Sequence, residues 1–133
     1  MIRFLKHWWP SGLCLLVILY ATLTPAAELD VDLPAFPHVD KLIHAIMMGG
    51  LTGALAFDYA RVRSRRPLTR AVLMAIAGGV AGFSLVDEWL QSAVTPDRSG
   101  DPLDLCADLA GILVALLTAP PLIRHILRRQ RPI

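Results

Sequence analysis

Cysteine, histidine and charge are all scarce in this chain. Its two cysteines, Cys14 and Cys106, are too few for a disulfide framework or a paired-cysteine zinc site. At about 1.5 Å of rise per helical residue they fall at opposite depths, so no bridge is expected and both read as buried thiols without a redox role. Four histidines occur with no His-xxx-His spacing, and there is no activated Ser or Cys motif and no phosphate-cradling Gly loop. No cofactor is implied, and no catalytic motif is recognisable. Charged residues make up 18% of the chain, against about 25% in soluble domains. The basic segments are short and lie beside apolar runs, so they match an anionic membrane surface and not nucleic acid.

Apolar residues are abundant, at 55% of 133 residues, and they are clustered. Four stretches, Trp8–Thr24, Leu42–Tyr59, Ala71–Leu90 and Leu103–Ile123, have roughly the 17 to 25 residues that cross a hydrocarbon core of about 30 Å as a helix. With short connections and no internal repeat, residues 1–133 read as one domain. The expected fold is all-α, an integral membrane four-helix bundle. A competing reading of the first stretch is a secretory signal, with Arg3 and Lys6 before Leu13–Leu23 and the small residues of Thr24-Pro25-Ala26-Ala27 as a cleavage site. Trp8 and Trp9 favour a retained helix with an interfacial belt at its entry.

Every Lys and Arg except Lys41 and Arg98 lies at the start, in Arg61–Arg70, or in Arg124–Arg131, and every acid except Asp58 lies in the intervening segments. This alternation orients the chain: both termini and the Arg61–Arg70 turn face the cytoplasm, and the connections Pro25–Val39 and Ser92–Pro102 face outward. Small residues at Gly49-xxx-Gly53, Gly78-xxx-Gly82 and Ala107-xxx-Gly111-xxx-Ala115 mark close helix contacts, expected within the bundle in preference to between protomers.

Three spans carry polar residues at their outward ends. Asp40 and His44 share a face at spacing four, as do Asp104 and Asp108; Glu88 and Gln91 share one at spacing three, and Asp87 and Gln91 at four. An ionisable group in hydrocarbon costs several kcal/mol unless paired or facing water. The candidate pocket is therefore Asp40, Lys41, His44, Glu88, Gln91, Arg98, Asp101, Asp104 and Asp108. Asp40 and Asp104 also precede apolar runs and read equally as helix N-caps. His44, Glu88, Asp104 and Asp108 are candidate metal ligands.

Asp40-Lys41-xx-His44 opening one span, then Glu88-xx-Gln91, Arg98, Asp101 and Asp104, and then a span containing Gly111, resemble the VanZ-like family of small bacterial membrane proteins over Asp40–Leu117. The family usually has Asn where Asp108 stands, a departure that adds a carboxylate. The resemblance implies a multi-pass protein of the bacterial cytoplasmic membrane and a link to glycopeptide or lipoglycopeptide susceptibility through lipid-linked components of the cell envelope. It brings no established reaction.

Three functions remain open from the sequence. An outward pocket would bind a lipid-linked cell-wall precursor or an envelope protein, with Lys41 and Arg98 holding a phosphate or carboxylate. A membrane-embedded enzyme would use His44 and Glu88 as acid and base, or a metal, on a lipid-linked substrate. A purely structural cluster would clamp three helices at their ends. A proton-coupled transporter is disfavoured, because the spans lack paired broken helices.

Overall fold

The computed structural model of the chain describes residues 7–24, 37–63, 67–94 and 101–129. They form four helices: α1 Trp9–Leu23, α2 Val39–Val62, α3 Arg70–Val94 and α4 Pro102–Arg129, with no strand among the described residues. Three of them, α2, α3 and α4, are long and apolar enough to cross a membrane. At 15 residues α1 rises only about 22 Å, short of the roughly 30 Å of a hydrocarbon core.

Helices α2 and α4 run past the apolar stretches that announce them, because their charged ends suit the helix dipole. Asp40 and Asp104 lie in the first turns of α2 and α4, and Arg61, Arg128 and Arg129 in last turns, where each sign is favoured. Neither Asp40 nor Asp104 is the N-cap. The α2 cap position is His38, without a side-chain cap bond. At α4 the cap is Asp101, whose Oδ1 accepts from the Leu103 amide at 2.9 Å and whose carbonyl accepts from the Asp104 amide at 2.9 Å. Pro102 fits the first helical position, where its missing N–H costs nothing.

Helices α2 and α4 form the central seam, set by two glycines. A Cβ on Gly49 would stand 2.9 Å from the Gly111 carbonyl oxygen, and one on Gly111 would overlap the Ala45 carbonyl. Backbone thus touches backbone, as small residues permit. At Gly53, Gly78 and Gly82 a Cβ would meet nothing within 4 Å, so only part of the small-residue pattern serves contacts within the bundle. The core between the helices is Ile18, Met48, Leu51, Ala77, Val80 and Ile112.

Large apolar side chains are exposed on every helix, among them Leu16, Tyr20, Ile46, Met74, Trp89 and Leu117. In water so much exposed apolar surface would drive aggregation; in lipid it is the expected exterior. Cys106 is exposed and Cys14 half-buried, so the expectation that both thiols are buried is corrected: the α4 seam at Gly111 turns Cys106 outward. An apolar groove of about 1150 Å³ opens between α1, α2 and α3, lined in part by Leu16, Leu55, Ile76 and Phe83. None of the clustered ionisable residues described next lines it.

Candidate functional site

The starts of α2 and α4 and the last third of α3 meet at one end of the bundle, and the Lys41 ammonium ties them together. It donates to Asp101 Oδ2 and Asp104 Oδ1, both at 2.6 Å, and to Asp40 Oδ2 at 2.9 Å. An ammonium has three N–H donors, and all three are engaged. A phosphate or carboxylate arriving at Lys41 would therefore compete with three carboxylates for it. The same contact holds the Asp101 carboxyl below its ordinary range, chiefly through the Lys41 hydrogen bond and secondarily through the Leu103 amide. Asp101 also donates its own amide to Glu88 Oε1 at 2.8 Å, joining α3 to the start of α4.

One turn deeper, His44 and Asp108 are buried. His44 Nδ1 lies 3.2 Å from Asp108 Oδ1, and Ser84 donates its hydroxyl to Asp108 Oδ2 at 2.5 Å. Both Asp108 oxygens are thereby engaged, and the imidazole is held between α2 and α4. The turn that follows Ser84 on α3 carries Asp87, fully buried, which accepts from Thr22 Oγ1 of α1 at 3.0 Å and from Gln91 Nε2 at 3.2 Å. Thr22 and Gln91 thus satisfy a carboxylate that would otherwise be orphaned in an apolar interior.

Ligand atoms of His44, Glu88 and Asp104 converge within 4.8 Å of one another. After the contacts above, no hydrogen bond from a described residue reaches His44 Nε2, Glu88 Oε2 or Asp104 Oδ2, and none of the three is a buried unpartnered atom. Five carboxylates, of Asp40, Glu88, Asp101, Asp104 and Asp108, surround the one described ammonium, so this end of the molecule presents a negative field.

The opposite end holds Asp58, the one acid that breaks the charge alternation. It is wholly buried. Its Oδ2 accepts from the Ser11 amide at 3.0 Å and the Ser11 hydroxyl at 2.5 Å, and its Oδ1 from Arg61 at 3.2 Å. The Ser11 amide is one of the donors that the first turn of α1 leaves without an intrahelical acceptor. Asp58 supplies that acceptor and a negative charge where the dipole favours one. Arg61 in turn donates to the His7 carbonyl at 2.5 Å and lies over the Phe57 ring.

Of the nine expected pocket residues, Lys41, His44, Glu88, Asp101, Asp104 and Asp108 come together. Asp40 sits on the exposed rim, so spacing four along α2 does not make it an equal partner of His44. Gln91 is buried but serves Asp87. Arg98 lies outside the described residues, as does most of the Pro25–Val39 connection. As for metal candidates, Asp108 is engaged in orienting His44, which leaves His44, Glu88 and Asp104. Sequence reasoning missed Ser84, Thr22 and Ser11. A hydroxyl in an apolar helix is a weak signal alone, but Ser84 stands four residues before Glu88 and so points toward the same region. Compared with protein families, curated proteins and solved structures, the chain matches none.

Proposed function

We propose that this chain is a multi-pass protein of the bacterial cytoplasmic membrane, VanZ-like, with both termini cytoplasmic. On this reading its acidic end is an outward-facing pocket that binds a lipid-linked component of the cell envelope and thereby alters susceptibility to glycopeptides or lipoglycopeptides. One observation carries it: three helices contribute His44, Glu88 and Asp104 to a single point, with acceptor atoms left free. None of these acceptors is a buried unpartnered atom, so they face space that a ligand or water can reach. Free acceptors in a negative field suit hydroxyl and ammonium donors, which sugars and peptides on lipid carriers bear.

The four-span topology is part of this reading and draws support from α1. Although short, it is tied at one end to Asp58 and at the other to Asp87, and removing it as a signal segment would strip two buried carboxylates of partners. A structural role draws support from Lys41, whose bonds join α2 to the start of α4. The two roles separate experimentally. In cells that show a chain-dependent lipoglycopeptide phenotype, His44→Asn and Glu88→Gln, which keep a hydrogen-bonding side chain beside Asp108 and the Asp101 amide, should abolish it at unchanged membrane level and thermal stability. Retention of the phenotype in both variants rejects the pocket, and loss accompanied by a large fall in stability supports the clamp.

A further inference from the structure

We infer that His44, Glu88 and Asp104 form a binding site for a divalent first-row metal ion of the zinc type; this rests on the reading of the acidic end as a ligand pocket and names what it holds. The three ligand atoms come from α2, α3 and α4 and lie within 4.8 Å of one another, so side-chain shifts of about 1 Å would bring them to the roughly 3.4 Å that separates ligands on a tetrahedral ion of about 2.1 Å bond length. One imidazole with two carboxylates is a borderline donor set, suited to zinc and its neighbours more than to magnesium or calcium, which prefer all-oxygen shells.

A second, independent observation is the setting of the histidine. His44 is 7% exposed, and its Nδ1 is paired with Asp108, whose other oxygen is fixed by the Ser84 hydroxyl. With the Nδ1–H donated to a carboxylate, the ring is held in the tautomer whose Nε2 carries the lone pair. That carboxylate–imidazole arrangement is the one that orients metal-bound histidines and raises their basicity. No hydrogen bond from a described residue reaches Nε2 itself. Asp108 and Ser84 are thus positioning residues.

Charge also favours a cation. Lys41 is saturated by Asp40, Asp101 and Asp104, and Glu88 and Asp108 add negative charge that the described cations do not offset. Three protein ligands leave at least one coordination position open, where a water or an oxygen of the bound envelope component would complete the shell. The ion would give the pocket an electrophilic centre besides the engaged Lys41 ammonium.

The test uses the full chain in detergent micelles, stripped with chelator and titrated calorimetrically with zinc, with cobalt absorption as a readout of nitrogen and oxygen ligation. About one zinc per chain at micromolar affinity or tighter is expected. His44→Ala and Glu88→Gln should each weaken binding by at least about 100-fold, and Asp108→Asn by about 10–100-fold, the range seen when an outer-shell partner is removed. Thr118→Ala, an exposed hydroxyl bonded only to its own helix, should leave the affinity unchanged. Circular dichroism establishes that each variant is folded; if His44→Ala is not, the half-buried Glu88→Gln decides. Zinc affinity weaker than millimolar in the wild type, or equal affinity in folded His44→Ala and Glu88→Gln, overturns the metal site. Failure here with loss of the susceptibility phenotype leaves the pocket standing without a metal. Zinc binding with an intact phenotype leaves the metal site standing and removes the pocket's proposed role.

Discussion

At the scale of single residues, the buried carboxylates divide into those that hold the bundle and those that leave acceptors open. Asp58 belongs to the first group. Asp58→Ala removes a charged acceptor from the Ser11 amide and hydroxyl and from Arg61. Thermal unfolding in detergent should show a loss of about 1.5–3 kcal/mol, the worth of a hydrogen bond to a charged group. Adding Ser11→Ala to that variant should cost little more, because the partner is already gone. Asp101 supplies a pH dependence. Its carboxyl ionises more readily in the folded chain than in the unfolded one, because the Lys41 ammonium is beside it. Its contribution is therefore complete above the ordinary carboxyl pKa of about 3.9 and is lost as pH falls through the lower folded value. The melting temperature of the wild type should drop as pH is lowered below about 4, and Asp101→Asn should flatten that drop. An unchanged acid profile in Asp101→Asn would remove the Lys41 contact as its cause.

At the scale of elements, α2 and α4 are locked by a seam that tolerates no side chain at one point. Gly111→Ala places a methyl against the Ala45 carbonyl, and the helices must separate. A loss of about 1–3 kcal/mol or more is expected from such overpacking. Gly82→Ala faces open space and, by helix propensity, should be neutral or raise stability by up to about 1 kcal/mol. Equal melting temperatures for the two variants would contradict the packing. The long helices were legible in the sequence because roughly 20 consecutive apolar residues suffice to announce them. Which small residues face a neighbour was not, since Gly49 and Gly78 stand in identical Gly-xxx-Gly contexts and only helix rotation distinguishes them.

At the scale of the whole molecule, the two ends of the bundle differ in sign, and the proposed topology puts the acidic end outside. In a chain carrying Cys14→Ser and Cys106→Ser, a membrane-impermeant maleimide should label Val94→Cys in intact cells. Pro67→Cys should react only after the membrane is opened. The reverse pattern would invert the orientation and place the pocket in the cytoplasm. Mass spectrometry of the mature membrane protein should find residues 7–24, because α1 completes the surroundings of Asp58 and Asp87.

The helical class, the positions of the long helices and the two-ended distribution of charge can be read from the residues in order, because they follow from local hydropathy and from the bias of Lys and Arg along the chain. The sequence also indicated that His44, Glu88 and Asp104 belong at one end. The packing of the helices was needed to show that Lys41 pairs with three carboxylates, that Asp108 orients His44, that Gln91 serves Asp87, and that Asp58 receives the first turn of α1. Each of those outcomes depends on how far one helix is rotated and shifted against another. That geometry is fixed by the backbone contact of Gly49 with Gly111 and by the apolar core around Met48 and Val80, which no spacing within a single helix encodes.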